Sequence, residues 1–144
     1  QDDDLVEAIL KDLSHWRSLS GPRRITSIHF GGGTPSLLNP AHITRLINQI
    51  SGLWGLSKGL EIAIEANPND YDKNRWRDMA SAGVNRLSLG IQTFHNPALK
   101  LLGRDHDAKT AAQTLEAAVS LFPSVSLDLI FGGQGKLRRN GKTM

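Results

Sequence analysis

Helical stripes and short apolar strands alternate along almost the whole of this chain, and that alternation is what most narrows its possible folds. Leu5, Val6, Ile9, Leu13 and Trp16 fall on one helical face between about residues 5 and 19. A first strand follows near Ile25–Phe30. Asn39 has the chemistry of an N-cap and Pro40 suits the first helical position, so a helix opens there with Ile43, Leu46, Ile47, Ile50 and Leu53 inward. A second strand, Leu60–Ala66, ends at the turn cluster Asn67-Pro68-Asn69-Asp70. The next helix carries Trp76, Met79 and Ala80 and ends at Gly83, a residue suited to a C-cap.

Arg86–Ile91 reads as a third strand, followed by a longer irregular loop through Asp107. Ala108, Ala111, Ala112, Leu115, Ala118, Val119 and Phe122 then mark a helical stripe closed by Pro123, and Val125–Phe131 makes a fourth strand. Strands separated by helices lie parallel, and their crossovers wind right-handed. The expected fold class is α/β.

Composition sets the outer bounds. A chain of 144 residues with 39% hydrophobic content can bury one core. No apolar run approaches the ~20 residues that span a bilayer, and the opening Gln1-Asp2-Asp3-Asp4 has no signal-peptide pattern. With no cysteine there is neither a disulfide nor a thiolate metal site. A cytoplasmic location and no transmembrane segment are the expectations. The net charge of +3 is less than the charge of Lys136, Arg138, Arg139 and Lys142 in the last nine residues. Basicity therefore belongs to a tail, not a face, and no nucleic-acid partner is expected.

Conspicuous polar residues fall at the ends of successive strands. Gly31-Gly32-Gly33 follow the first, Glu65 and Asn67 end the second, Gly90 and Gln92 end the third, and Asp128 lies in the fourth. Parallel α/β sheets bind ligands outside the carboxyl ends of their strands. The glycine triplet exposes backbone N–H and C=O groups to a ligand's amino or carboxylate group, or forms a tight turn. Glu65 emerges from a buried-looking strand and needs a cation or several donors; an ammonium, a sulfonium or an internal pair with Arg86 would serve. Gln92 can donate and accept. Arg104 can clamp a carboxylate, or pair with Asp105 or Asp107. Asp128 suits ribose hydroxyls. His29 reads as a core or sheet-face residue. Neither phosphate-loop glycine motif is present, the five histidines lack ligand spacing, and no hydrolase triad is legible.

The run His29-Phe30-Gly31-Gly32-Gly33-Thr34-Pro35-Ser36, then Glu65-Ala66-Asn67-Pro68, then Gly83-Val84-Asn85-Arg86-Leu87-Ser88-Leu89-Gly90-Ile91-Gln92-Thr93-Phe94 resembles radical S-adenosylmethionine (SAM) proteins of the coproporphyrinogen III oxidase-like group. Leu102-Gly103-Arg104-Asp105-His106 and Ser126-Leu127-Asp128-Leu129-Ile130-Phe131-Gly132 continue the resemblance in order. Gly-Ile-Gln-Thr-Phe and Leu-Gly-Arg-Asp-His look closer to heme chaperones of the HemW type than to true oxygen-independent coproporphyrinogen oxidases.

The resemblance implies a partial TIM-like barrel of the radical SAM type, with about four parallel strands present in this chain. It implies that Gly32, Gly33 and Thr34 hold the methionine end of S-adenosylmethionine. Glu65, Gln92 and Arg104 match further binding positions, and Asp128 matches the ribose-side aspartate. No residue is assigned a catalytic or metal-binding role. The family's 4Fe-4S cluster rests on a C-x-x-x-C-x-x-C loop after an earlier strand, and this chain contains no cysteine. Residues 1–132 are therefore expected to form an incomplete core lacking that strand and loop, with 133–144 a basic tail, disordered or non-native. The implied function is that of a fragment, itself inert, of a heme chaperone binding S-adenosylmethionine, the cluster and heme for transfer to hemoproteins. The alternatives are a fragment of an oxygen-independent coproporphyrinogen III oxidase, with porphyrinogen as substrate, and a non-catalytic nucleoside-binding α/β module.

Overall fold

A computed structural model describes residues 2–132, so the expectation of a tail at 133–144 lies outside the described residues. The elements run α1 (Asp2–Ser20), β1 (Ile25–Phe30), α2 (Pro40–Trp54), β2 (Leu56–Ala66), α3 (Lys73–Ser81), β3 (Arg86–Gln92), α4 (Asn96–Leu101), α5 (Ala108–Leu121) and β4 (Ser124–Leu129). Single 3-10 turns, Pro35–Leu37 and Pro68–Asp70, follow β1 and β2. The strands form one sheet of four in sequence order, β1-β2-β3-β4, and every pairing is parallel. This is the α/β sheet that the alternation predicts.

Strand side chains alternate between the two faces of a sheet. Ile28, Ile62, Ile64, Ala66, Leu87, Leu89 and Ile91 share one face and form a single buried cluster with Ile43 and Ile47 of α2, Trp76 and Met79 of α3, and Ala111 and Ala118 of α5. Each large aliphatic side chain there contributes about 1.5–3 kcal/mol through removal from water. Ser27, His29, Glu61, Glu65, Arg86, Ser88, Ser126 and Asp128 are the alternate residues. They point to the other face and none of them is buried, whereas Ala63, between Glu61 and Glu65 on that face, is.

Local signals account for most boundaries. The Asn39 side chain accepts from the Ala41 N–H, with Pro40 leading the helix, as its sequence predicts. Asp72 and Asp107 cap α3 and α5 by accepting from the N–H groups of Arg75 and Thr110. The Thr110 and Lys109 amides also hold the Asp107 carboxyl below its ordinary value.

Five expectations need correction. Leu5 and Trp16 are exposed, since α1 packs on α2 and buries only Val6. Val119 is exposed too, because the buried stripe of α5 runs through Ala111, Thr114 and Ala118. β2 begins at Leu56 rather than Leu60, because Ile25 pairs with Leu56 across a register shift, beyond which Gly59 has φ +77°. The polar Lys58 and this glycine hide that extension from a pattern of apolar residues. The loop before Asp107 contains the short helix α4, and β4 ends at Leu129 before Phe131.

Candidate functional site

The carboxyl ends of the strands and the polar face of the sheet meet in a cleft of about 150 Å³. Gly33, Thr34, Glu65, Gln92 and Asp128 line it, together with Ala66, Asn67, Ser88 and Gly90. Gly32 adjoins it through its N–H, which donates to Glu65 Oε2 at 3.3 Å. Arg104 stands behind the wall.

The three glycines serve different ends. A Cβ on Gly31 would lie 3.1 Å from both Glu65 Oε1 and the His29 ring, so Gly31 makes room for that pair. Gly32 and Gly33 have φ of +84° and +55°, conformations that favour glycine. Open space surrounds both.

Glu65 pairs with His29, not with Arg86. His29 Nε2 lies 2.9 Å from Glu65 Oε1. Arg86 instead places Nη1 at 3.1 and 3.2 Å from the two carboxylate oxygens of Glu61, four residues earlier on the same strand face. The hydrogen bond from His29 holds the Glu65 carboxyl below the ordinary glutamate value, outweighing desolvation, with further help from the Gly32 N–H and the His29 charge. Glu65 therefore remains a carboxylate at neutral pH, and its side chain is 42% exposed toward the cleft. His29 itself lies on the open sheet face beside the site. Its place two residues from Ser27 on one face of a six-residue strand was the available signal.

On the opposite side, Ser126 Oγ donates to Ser88 Oγ and Ser88 Oγ donates to Asp128 Oδ2, both at 3.2 Å. The register that aligns Glu65 with Ser88 and Ser88 with Ser126 puts these groups in one row across three strands. Asp128 is exposed and lines the cleft, and its carboxylate suits a vicinal diol.

Arg104 does not pair with Asp105 or Asp107 in this arrangement. Its Nη2 donates to Asn67 Oδ1 at 2.8 Å and to the Gly90 carbonyl at 2.9 Å, while Nε is buried without a partner. Asn67 donates in turn to Thr34 Oγ1 at 3.4 Å and to Asp70 Oδ2 at 3.1 Å. One amide thus ties the ends of β1 and β2 to the arginine. A Cβ on Gly90 would sit 3.2–3.3 Å from Asn67 Oδ1, Gln92 Nε2 and Arg104 Nη2, so the absence of a side chain is what lets these polar ends converge.

Gln92 has φ +66°, the single non-glycine positive value among the described residues. A left-handed residue with a Cβ costs roughly 1–2 kcal/mol, and strain of this kind gathers at functional sites. Ser88 and His29 are members of the cleft and its surround that sequence reading did not place on the binding rim, and Asn67 and Gly90 were placed there without a binding role. Ser88, Gly90 and Gln92 recur at alternate positions of β3, and that periodicity was the usable trace.

Chemically, the cleft offers two separated carboxylates, a bifunctional amide and bare backbone groups. It suits a ligand with a cationic amine at one end and hydroxyls at the other. The donor set does not suit an iron–sulfur cluster: the chain has no cysteine, and the described residues hold no group of three or more His, Cys, Asp or Glu side chains placed for a metal.

Comparison with known proteins bears on the same residues. The family profile described as the Radical SAM superfamily matches residues 5–139. The chain is 39% identical over 135 residues to the radical S-adenosyl methionine domain-containing protein 1, mitochondrial, of Danio rerio, covering 93% of this chain and 30% of that protein. It is 37% identical over 131 residues to the heme chaperone HemW of Escherichia coli K12, covering 90% of this chain and 35% of the chaperone. Among solved structures, the coproporphyrinogen III oxidase HemN of Escherichia coli, described as a radical SAM enzyme, superposes with a TM-score of 0.79 at 31% identity. That match covers 91% of this chain and 30% of the oxidase. The chain therefore spans about a third of the length of these relatives.

Proposed function

Because this chain belongs to the Radical SAM superfamily, we propose that its strand-end cleft is a seat for S-adenosylmethionine, within a longer protein of the heme-chaperone type. The observation that carries this reading is the convergence of the glycine triplet, Glu65, Gln92 and Asp128 on one cleft at the carboxyl ends of four parallel strands. When bound, S-adenosylmethionine brings an α-amino acid, a sulfonium centre and a ribose diol to the site. The backbone of Gly32, Gly33 and Thr34 pairs with the amino-acid end. Glu65, kept ionised by His29, takes the ammonium. Gln92 supplies donor and acceptor to the same ligand, and Asp128, oriented by Ser88, accepts from the ribose hydroxyls. Arg104 acts by holding Asn67 and the Gly90 carbonyl in place.

In this reading residues 1–132 are part of a radical SAM core whose cluster loop lies in other parts of the protein. Likeness to the heme chaperone HemW at 37% identity supports heme as cargo, and delivery to hemoproteins is part of the same proposal. The backbone match to HemN favours a second reading, a porphyrinogen-oxidising parent. Heme retained unchanged by the full-length protein, with coproporphyrinogen left unconverted, supports the first reading; turnover of coproporphyrinogen supports the second.

Isothermal calorimetry of the 144-residue chain with S-adenosylmethionine tests the seat itself. Saturable binding is expected, with Glu65→Gln and Asp128→Asn each weakening it by about 10-fold or more, as for the loss of a charged hydrogen bond. Binding that is absent, or indifferent to both substitutions, overturns the assignment.

A further inference from the structure

The segment after α4 reaches back over the end of β3 and engages consecutive backbone carbonyls. Arg104 Nη2 donates to the Gly90 carbonyl at 2.9 Å, and His106 Nε2 lies 3.1 Å from the Ile91 carbonyl. The next carbonyl, that of Gln92, accepts from the Ile130 N–H at 2.8 Å. These bonds fall where the β3–β4 register shifts, between Leu89 and Gln92. They also fall where Gln92 takes its positive φ.

His106 is unusual among the residues that do this work. Its side chain is wholly buried. A carbonyl oxygen can only accept, so the bond to Ile91 requires the proton on Nε2. Nδ1 then faces the interior with no hydrogen-bond partner, and Asp105 Oδ1 stands 4.0 Å away. A half-satisfied imidazole costs stability relative to an apolar side chain of similar volume. What it supplies in return is a fixed donor at one carbonyl immediately before the strained residue.

We infer that His106 is a positioning residue for Gln92. The Ile91 carbonyl also accepts from the Thr93 N–H at 2.8 Å, in a tight turn centred on Gln92; by adding a second donor there while Arg104 anchors the Gly90 carbonyl, His106 steadies the peptide plane that sets Gln92 in the left-handed conformation. That conformation brings Gln92 Nε2 back over the bare Cα of Gly90 and into the cleft wall. The ligand role of Gln92 rests on the S-adenosylmethionine reading above; the hold on its backbone does not.

The test uses the 144-residue chain with His106→Leu, His106→Gln, Gln92→Ala and the double variant His106→Leu/Gln92→Ala. Backbone φ at Gln92, from NMR chemical shifts and couplings, is expected to leave the positive region in His106→Leu and to keep it in His106→Gln, whose amide restores a donor. S-adenosylmethionine affinity is expected to fall about 10-fold in His106→Leu, to recover in His106→Gln, and to show no additional loss when His106→Leu is combined with Gln92→Ala. Losses that multiply in the double variant, or a positive φ that survives His106→Leu, overturn the proposal. If His106→Leu does not fold, His106→Asn takes its place, since its amide is too short to reach Ile91. If the unaltered chain binds no S-adenosylmethionine, the seat fails, and the φ measurement alone decides the positioning role.

Discussion

The two faces of the sheet use the same four strands for opposite purposes. The face toward the helices is aliphatic and closed: Ile64, Leu87, Leu89 and Ile91 have no accessible surface. The other face carries His29–Glu65, Arg86–Glu61 and the Ser126–Ser88–Asp128 chain, all reachable by solvent. One face holds the fold together by area removed from water; the other holds functional groups in register. The difference teaches that strand alternation can separate stability from recognition within a single sheet, so that substitutions on the two faces should report on different properties.

The largest stability effect is expected on the closed face. Leu87→Ala removes a fully buried side chain and should lower unfolding free energy by about 2–5 kcal/mol in urea melts. A loss near zero there would mean that this face is not the core. Gly90→Ala comes next. The added methyl meets Asn67, Gln92 and Arg104 at 3.2–3.3 Å, and the crowding should cost about 1–3 kcal/mol while loosening the Arg104 bonds.

On the open face, Arg86→Ala breaks an ion pair made through one guanidinium nitrogen, whose partners are 38% and 48% exposed. Its cost should stay below about 1 kcal/mol, and a larger value would show that the open face also carries the fold. The subtlest effect is on titration. Glu65 is lowered by His29, so His29→Ala should raise its midpoint in an NMR pH titration toward the ordinary glutamate value. The sign follows from linkage: a carboxyl depressed in the folded state contributes stability at neutral pH, which is lost as pH falls through the folded midpoint. An unmoved Glu65 midpoint in His29→Ala would remove His29 from the account.

Much of this architecture is visible in the chain before it folds. The 3.6 and 2.0 periodicities mark the helices on either side of each strand, and Asn39-Pro40 marks a helix start because capping chemistry is local. Glu65, Gln92 and Asp128 stand out because polar groups interrupt apolar strands. What stays hidden is pairwise and distant. Nothing local tells that Glu65 meets His29, 36 positions away, rather than Arg86. Nor does composition tell that Arg104 turns inward to Asn67 and Gly90, since an arginine beside two aspartates looks solvated. The exposure of Leu5 and Trp16 is hidden for the same reason: a helical stripe shows which face is apolar, not which neighbour covers it.

In the proposed seat one ligand is held by residues from all four strand ends at once. The most direct measurement is an NMR amide titration of the chain with S-adenosylmethionine. Shifts are expected to concentrate at Gly32, Gly33, Thr34, Glu65, Ser88, Gln92 and Asp128 and to saturate together along one binding curve, with the helix-facing residues Ile64 and Leu87 little changed. Shifts absent from this row, or confined to one strand end, would contradict the proposed seat.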